Sequence, residues 1–323
     1  MVDVAREAQV ALRTVSRYVN GESNISPALA IRIADAIEKL GYRRNLAAAS
    51  IRPGWTGKTL GLVISDLANP YYSVLTRAIE DCARDCGYLL VSASSDEDAT
   101  RFDRIVDRLM EQRVDALICV PPRDLGRDWK TIPGPLPPLV FLDRPIDFAD
   151  ADVVLADNAG GARNATATLL LNGARRVAFI GDSLAIYTMR ERFAGYREAL
   201  RDSGLTVDEN LVRANAHSSE DAAAAVTELQ REGLIDAVFA ANNRASVGAL
   251  LAFKASGRLP LIGFDDFEAA QLSNPPVSVV SQDIPEMGRL AAQIVLDRLA
   301  GLTYPYETRV LATSLRLRGS ERP

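Results

Sequence analysis

The sequence contains few of the residues on which enzymes most often rely. Its 323 residues include one histidine, three cysteines and two tryptophans, and aromatic residues make up 6%. His217 has no matching nucleophile, and Cys82, Cys86 and Cys119 are unevenly spaced, with no second cluster of metal ligands in the sequence. We therefore expect no metal or cofactor site, and we expect the three thiols to be buried structural residues.

Segments typical of other classes of protein are also missing. No apolar run approaches the roughly 18 residues that a membrane helix needs, and no charged-then-apolar signal segment opens the chain. These absences predict a cytoplasmic protein without a membrane partner. The glycine-rich loops of nucleotide-binding proteins and the G-x-S-x-G pattern of hydrolases are absent as well. Two classes of function nevertheless stay open: an α/β enzyme, and a small-molecule binding protein without a role on DNA.

Positive charge is concentrated at one end of the chain. Residues 1–58 carry nine lysines or arginines against five acids, a net charge of +4, whereas the whole chain has −5, so the other residues carry −9. A basic N-terminal segment on an acidic body fits a polyanionic partner that binds at one end only.

Residues 10–20, VALRTVSRYVN, have the spacing of a helix with one apolar side and one basic side. The apolar arc holds Leu12, Val15 and Val19, and the residues that fall away from it are Arg13, Ser16, Arg17 and Asn20. Further helical patterns flank this segment, at 2–8 and from Ser26 to Gly41. Arginine can pair bidentately with guanine in a major groove, so the layout favours a helix-turn-helix domain over an ordinary solvated helix.

Three segments of this region, DVAREAQVALRTVSRYVNG, IS and IEKLGYRRN, resemble the DNA-binding headpiece of the LacI-type family of bacterial regulators, the family of the lactose and galactose repressors. The most diagnostic pieces are TVSRYVNG at 14–21 and LGY at 40–42. The resemblance implies that the helix at 10–20 enters the major groove, where Leu12, Arg13 and Arg17 match residues that read bases. The positions that usually contact phosphates are matched by Thr14, Ser16 and Asn20.

The headpiece departs from the family pattern at two positions. Gln9 stands where the family commonly has glycine in the turn, and Ala11 stands where a serine usually caps the next helix. A lost cap costs about 1 kcal/mol, and a non-glycine residue with positive φ adds strain, so we expect a less stable headpiece. The resemblance also implies that the chain begins a few residues later than its relatives do.

Residues 45–52 predict a short helix that Asn45 caps and that stops at Pro53. A helix of this length is unstable alone in water, so a plain flexible linker is the alternative. The resemblance implies a hinge helix that pairs with a second copy in the minor groove. It assigns Ile51 the part of the apolar wedge between base steps and places Ala48 at the helix contact.

The rest of the chain alternates short apolar runs with helical patterns. Strands are predicted at 60–65, 88–94, 115–121, 138–143, 176–182, 236–242 and 261–266, and helices at 72–86, 100–112, 158–171, 190–203 and 245–256. This alternation predicts two doubly wound α/β lobes with a cleft at the strand ends. Segments from NPYY at 69–72 to LRLRGS at 315–320 extend the resemblance over nearly the whole chain and imply lobes of the periplasmic-binding-protein type.

The predicted organisation is therefore a headpiece at 1–44, a hinge helix and linker at 45–58, and a two-lobe domain for effector binding and dimerisation at 59–323. The residues that match family contacts to the effector are Tyr72, Asp143, Arg144, Asp157, Arg192, Asn243 and Asp265. Carboxylates, an amide and arginines can bind adjacent hydroxyls, while a tyrosine ring packs on a sugar. Capping and turn formation are the alternative roles.

Two departures concern this site. Asn243 stands where the family often has aspartate, and the segment between Gly257 and Gly263 is shorter than usual, so the strand that leads to Asp265 is expected to be displaced. Asp265 and Asp266 do not form a metal or catalytic pair, since adjacent residues on an extended chain point opposite ways.

Together these observations predict a ligand-responsive transcriptional regulator, a repressor of genes for sugar or related carbon metabolism. It would bind a near-palindromic operator as a homodimer, since no clear heptad segment follows Arg318 to tether a tetramer. That the effector is a sugar is implied by the resemblance alone.

Overall fold

The structure is a computed structural model that describes residues 1–22, 24–43, 57–148 and 150–323. It divides into two compact units, Met1–Gly57 and Lys58–Pro323. The predicted hinge helix at 45–52, with Ala48 and Ile51, lies outside the described residues.

In the described part of the first unit, three short helices surround one small core. They are α1 (Val2–Glu7), α2 (Leu12–Val19) and α3 (Pro27–Lys39). One apolar side chain from each helix, Val4, Val15 and Ile33, is almost fully buried in the shared core.

Gln9 and Ala11, where the headpiece departs from the family pattern, have the conformations that we expected. Gln9 adopts φ 51°, and Ala11 is the N-cap of α2 without a side-chain hydrogen bond. Ser26 also occupies the predicted N-cap of α3, but its hydroxyl makes no capping bond, and Pro27 follows it.

The second unit begins with an α/β lobe. Its elements in chain order are β1 (Thr59–Ile64), α4 (Pro70–Asp85), β2 (Leu89–Ser94), α5 (Ala99–Glu111), β3 (Ala116–Cys119), β4 (Leu139–Leu142) and β5 (Asp152–Ala156). A second lobe follows with α6 (Asn158–Leu171), β6 (Val177–Ile180), α7 (Tyr187–Asp202), β7 (Val212–Arg213), α8 (Ser219–Arg231), β8 (Ala237–Ala240), α9 (Asn243–Ser256), β9 (Leu261–Phe264) and β10 (Ser278–Ser281). The chain ends with α10 (Ile284–Leu299), β11 (Thr308–Leu311) and β12 (Ser314–Arg316).

The strands form two six-stranded sheets, in the orders β11-β5-β4-β3-β1-β2 and β12-β10-β9-β8-β6-β7. All neighbours are parallel except β10 and β12, which run antiparallel. The central strands are short apolar runs buried along their whole length, as expected for parallel sheets covered on both faces. The predicted fold class, a helical headpiece with two doubly wound lobes, is confirmed.

The chain passes between the lobes three times: at Asp157, between β10 and α10, and between β11 and β12. After the second passage α10 packs on α4, where Met287 and Val295 join the core of the first lobe. Each lobe therefore contains residues from distant parts of the sequence.

The prediction of buried cysteines is only partly right. Cys119 in β3 is buried, but Cys82 is half-buried and Cys86 is exposed. Cys86 is the C-cap of α4, at a turn on the surface, and this position explains its exposure.

Within the described ranges, no group of acidic, histidine or cysteine side chains is arranged to hold a metal ion. Nor does any helix in those ranges have the length and apolar character to cross a membrane.

Candidate DNA-binding helix and ligand cleft

The first turn of α2 faces solvent. Leu12 leans toward the apolar arc by periodicity, yet 48% of its surface is exposed, because the core contacts begin one turn later at Val15. Arg13 is exposed on the same turn, Thr14 and Ser16 are half-buried, and Asn20 is exposed at the end of the helix. The structure thus presents an apolar residue and an arginine side by side at the start of α2.

Arg17, one turn further along α2, is engaged within the headpiece. Its Nε donates to Glu22 Oε2 at 2.8 Å, and its Nη2 donates to the carbonyl of Asn24 at 3.4 Å. Exposed ion pairs of this kind contribute about 0.2–1 kcal/mol, so little free energy is needed to release Arg17 from Glu22.

The second unit contains a cavity of about 300 Å³ between the two lobes. Five of the predicted effector residues line it, namely Tyr72, Asp143, Arg144, Arg192 and Asp265. Several lining residues, among them Ser65, Asp143 and Asp265, directly follow the carboxyl ends of strands. Ligands of open α/β sheets bind at these ends, so the cavity lies where the fold favours a binding site.

Unusual backbone conformations are concentrated at this cleft. Of the seven non-glycine residues with positive φ in the described ranges, four line the cavity: Asp96 (53°), Glu97 (60°), Asp143 (68°) and Asp265 (71°). Such conformations are disfavoured for side chains with a Cβ and persist where the surrounding structure enforces them, most often at functional sites. This concentration points to a binding site.

Arg144 and Glu97 form a buried bidentate pair on the first-lobe side of the cleft. Arg144 Nη1 and Nη2 each donate to a Glu97 oxygen at 2.7 Å, and Nη1 also donates to the carbonyl of Pro121. Glu97 accepts further bonds from the Ser65 hydroxyl and the Arg123 backbone N–H. Burial opposes ionisation of Glu97, but these donors outweigh it and lower its pKa.

Asp143 is buried beside this pair with fewer partners. It accepts from the Tyr71 hydroxyl at 3.3 Å, and Arg144 Nε lies 3.6 Å from Oδ2. Burial raises the pKa of Asp143 despite the opposing charges of Arg144 and Arg192. Its carboxylate therefore retains acceptor capacity for hydroxyl groups that enter the cleft.

Arg192 and Asp265 lie together on the second-lobe side. Arg192 donates from Nη1 to Asp265 at 3.3 Å and to the carbonyl of Ala241 at 2.7 Å, and its guanidinium lies 3.7 Å from the ring centroid of Phe264. The other oxygen of Asp265 accepts from Gln282 Nε2. Both side chains are thereby held in fixed orientations before a ligand binds.

Two contacts connect the lobes at the start of α9. Arg244 forms an ion pair with Asp66, and Asn243 Nδ2 donates to Asn69 Oδ1 at 2.8 Å. Asn243 does not line the cavity, whereas its neighbours Asn242 and Arg244 do. Asn242 has an extended backbone, so the side chain that follows it points away from the cleft. The predicted effector residue Asn243 thus lies at the contact between the lobes.

Asp157 also lies outside the residues that line the cavity. It caps α6, where its Oδ1 accepts from the N–H of Gly160 at 2.8 Å, and its carbonyl accepts from the Thr313 hydroxyl at 3.3 Å. These bonds place Asp157 at a passage between the lobes, in the capping role that was its alternative.

The cleft contains residues that sequence reasoning missed. Tyr71 lines it beside Tyr72, with the two rings in a T-shaped contact at 5.0 Å. His217 Nδ1 lies 2.8 Å from Asp182 Oδ2, and both residues line the cavity. Asp182 is the last residue of a predicted strand, a signal that was available, whereas nothing near His217 in the sequence indicates its partner.

Comparisons with known proteins agree with this geometry. The family model described as bacterial regulatory proteins, lacI family, matches residues 1–45, and that of the periplasmic binding protein-like domain matches residues 166–321. The HTH-type transcriptional regulator CelR of Thermobifida fusca is 34% identical over 338 residues, which cover 98% of this chain and 96% of the relative. This chain belongs to the LacI family of bacterial regulatory proteins.

Other members and solved structures extend the likeness of this LacI-family chain. The ribose operon repressor of Escherichia coli (strain K12) is 31% identical over 99% of both chains. A structure titled as a CelR-cellobiose complex has a TM-score of 0.72 at 32% identity and covers 98% of both chains. A lac repressor dimer bound to operator and the anti-inducer ONPF has a TM-score of 0.84 at 23% identity, over 99% of this chain and 98% of that one, a likeness of fold. The predicted family is confirmed, and the named relatives are transcriptional regulators.

Proposed function

We propose that this LacI-family protein is a cytoplasmic repressor that binds a near-palindromic operator as a homodimer and responds to a neutral sugar. The observation that carries the ligand site is the cleft itself, where four strained carboxylate residues meet between the lobes. We assign residues 1–44 to DNA binding, 45–58 to the hinge and linker, and 59–323 to effector binding and dimerisation.

On DNA, the first turn of α2 would enter the major groove with Leu12 against a thymine methyl group and Arg13 on a guanine edge. Arg17 would exchange Glu22 for a base, while Thr14, Ser16 and Asn20 hold phosphates. In the centre of the operator, Ile51 would wedge the minor groove open, with Ala48 at the contact between paired hinge helices.

The charges of the cleft favour a neutral polyhydroxyl ligand. Six lining residues are acids and three are arginines. Each of these arginines already bonds one of the acids, in the pairs Arg144–Glu97, Arg192–Asp265 and Arg244–Asp66. A phosphate would meet an excess of negative charge, whereas sugar hydroxyls can donate to Asp143 and Asp182 while a ring packs on Tyr72.

Two relatives support this ligand class by their names, one in a complex with cellobiose and one a repressor of a ribose operon. We infer that no reaction is catalysed, since Asp265 faces the cleft while the adjacent Asp266 is turned away to a bidentate pair with Arg318. The relatives' role as regulators favours the same conclusion.

A second copy of the chain would cover an exposed apolar face of the second unit. Leu251 on α9 is 41% exposed, Val74 on α4 is 44% exposed, and Leu272, in the segment between β9 and β10, is 86% exposed. Val74 and Leu272 also line a shallow cavity, shared between the lobes, that reaches Asn243 and Arg244. Contiguous exposed apolar surface of this kind indicates an interface.

The effector would act because it binds one arrangement of the two lobes more tightly than another. A change in the arrangement of the lobes would then change the spacing of the paired hinges.

The decisive experiment selects duplexes from a randomised DNA library with the full-length protein and then titrates the winning duplex with neutral and phosphorylated sugars. We expect an enriched inverted repeat whose affinity changes with cellobiose or ribose and does not change with ribose 5-phosphate. Enrichment of no symmetric sequence would overturn the operator assignment, and a response to the phosphate ester alone would overturn the ligand class.

A further inference from the structure

The turn between α1 and α2 fixes the direction in which α2 leaves the first helix. Helix α1 ends in a Schellman motif, because the N–H of Gln9 donates to the carbonyl of Arg6 at 3.2 Å. The second bond of the motif runs from the N–H of Val10 to the carbonyl of Ala5, at 3.0 Å. Gln9 is the left-handed residue that the motif requires, with φ 51°. Glycine is the usual residue there, since a Cβ is disfavoured in this conformation, so the turn is strained.

The beginning of α2 has a second weakness. Ala11 is its N-cap, and a methyl group cannot accept a hydrogen bond from the N–H groups of the first helical turn. A strained turn and a helix without a side-chain cap thus meet immediately before Leu12 and Arg13, the residues assigned to base contacts. The conformation of this junction therefore depends on contacts from elsewhere in the headpiece.

Arg32 on α3 provides such a contact. Its Nη2 donates to the carbonyl of Ala8 at 2.5 Å and to the carbonyl of Gln9 at 3.3 Å. Ala8 is the C-cap of α1, and a helix leaves its last carbonyls without an intrahelical donor. A cation is also the charge that this end of a helix favours. In the described part of the headpiece, the acceptors of the Arg32 guanidinium are these two backbone carbonyls.

The Arg32 bonds act on the backbone of the turn, from a helix that is packed in the core. Ile33, the next residue of α3, is fully buried among the apolar side chains of the headpiece. Lys39 also joins α3 to α1, through a 2.6 Å pair with Glu7, but this pair connects two exposed side chains. Arg32 therefore restrains the backbone of the turn directly, and the Lys39 pair does not.

We propose that Arg32 is a positioning residue for DNA recognition. Its guanidinium holds the strained turn, and the turn holds α2 at the angle at which Leu12 and Arg13 meet the bases. This inference rests on the operator binding proposed above. Contacts with base edges require exact placement of α2, whereas attraction to phosphates depends mainly on charge. Loss of the Arg32 bonds should therefore weaken binding to the operator much more than binding to unrelated DNA.

The test measures the affinity of the full-length protein for two duplexes of equal length, the selected operator and a scrambled sequence. We expect Arg32→Ala to weaken operator binding about tenfold and to change binding to the scrambled duplex by less than about twofold. Lys39→Ala removes the same charge from the same helix and should leave the ratio of the two affinities unchanged. An unchanged ratio in Arg32→Ala would overturn the proposal. So would equal weakening on both duplexes with a salt slope reduced by about 0.9, the result expected for a lost phosphate contact.

A second substitution tests whether the strain at Gln9 is the reason that Arg32 is needed. Glycine adopts the left-handed conformation without strain, so adding Gln9→Gly to Arg32→Ala should return operator affinity to within about threefold of the wild-type value. Failure of this rescue would contradict the proposal. Every affinity is measured at a temperature at which thermal denaturation shows the variant to be folded.

Hydrogen exchange of the full-length protein, followed by mass spectrometry, tests the same step without DNA. Arg32→Ala should speed exchange of the hydrogen-bonded amides of Gln9, Val10 and Thr14, while the amides of α3 keep their protection. Equal exchange in the turn, or faster exchange throughout the headpiece, would show that Arg32 does not position α2. A wild-type protein that selects no operator would instead refute the proposed function, and the exchange measurement would still decide the role of Arg32.

Discussion

Asp143 and Asp265 occupy equivalent positions in the two lobes and face the same cleft. Each directly follows the strand at the third place of its sheet order, β4 or β9. Each has positive φ, 68° and 71°, and each donates its backbone N–H at 2.9 Å to the next strand, to Val154 and Val280 respectively. The internal repeat of the fold thus supplies one buried carboxylate from each side, and a ligand that binds both holds the lobes together.

The second-lobe carboxylate gives the first prediction. Asp265→Asn should weaken the effector at least about 30-fold, since removal of a buried charged partner costs about 2–5 kcal/mol, while operator affinity stays unchanged. Calorimetry with the sugar and an operator-binding assay measure the two effects. Arg163→Ala, which breaks an exposed pair with Asp202, is the control and should change neither. Full effector response in Asp265→Asn would remove this residue from the site.

The pH dependence of stability should differ in sign between Asp143 and Glu97. Burial raises the pKa of Asp143 in the folded protein, so its ionisation destabilises the fold as pH rises through that pKa, and Asp143→Asn should raise the melting temperature at pH 7 and not at pH 4. The pKa of Glu97 is lowered, so its contribution is present above the ordinary glutamate pKa and is lost as pH falls. Glu97→Gln should therefore lower the melting temperature at pH 7. Equal shifts for both variants would contradict this assignment.

The ion pair between the lobes should stabilise the closed cleft. Arg244 and Asp66 are 31% and 24% exposed, so we expect a coupling free energy of about 0.5–1 kcal/mol in a double-mutant cycle of effector binding. Single variants Arg244→Ala and Asp66→Ala should also increase the radius of gyration in solution scattering without ligand. A cycle on Arg163 and Asp202, a pair on one lobe, serves as the reference and should give no coupling to the effector.

Recognition of the operator's base sequence by α2 should depend on Arg17. Arg17→Ala should cost about 1–3 kcal/mol on the selected operator and relax the preference at one base pair. Lys39→Ala is the comparison, because Lys39 lies on α3 and pairs with Glu7. A binding assay over single-base variants of the operator checks the prediction, and equal weakening on every sequence would reduce Arg17 to a phosphate contact.

Dimerisation should fail when charge is placed on the exposed apolar face. Leu272→Asp should shift the protein toward monomer in sedimentation velocity and weaken operator binding, because a buried unpaired charge opposes association. Leu171→Asp is a matched control, since Leu171 on α6 is 87% exposed and Leu272 is 86% exposed. A dimer that survives Leu272→Asp would place the interface elsewhere.

The sequence predicted long and regular features best. Helix α6 was predicted with its observed bounds, and the buried strands β1, β4 and β9 were located to within two residues. Apolar runs in a parallel sheet are continuous, so they are visible without a partner strand. The strands β5, β7, β10, β11 and β12 and the helices α8 and α10 were not identified from the sequence. Three of these elements, α10, β11 and β12, follow the second passage between the lobes, so their places depend on contacts with distant parts of the chain.

The candidate site was predicted less completely for a similar reason. Matching to the family indicated Tyr72, Asp143 and Arg192, which line the cleft. It also indicated Asn243, but the asparagine that lines the cavity is its neighbour Asn242. Successive side chains on an extended backbone point in opposite directions, and the spacing of residues in the sequence does not show which of two neighbours faces the cleft. The Arg244–Asp66 contact joins residues 178 positions apart, a relationship that no local pattern encodes.

The three passages of the chain between the lobes have a consequence for its biosynthesis. Emerging from the ribosome, residues 59–156 lack the helix α10 and the edge strand β11, whose side chains Met287, Val295 and Leu311 cover the core of the first lobe. That core stays open until residues 284–311 have been translated. A nonsense codon before residue 284 would therefore leave a nascent chain with uncovered apolar surface, a substrate for chaperones and proteases, even though most of both sheets is already encoded.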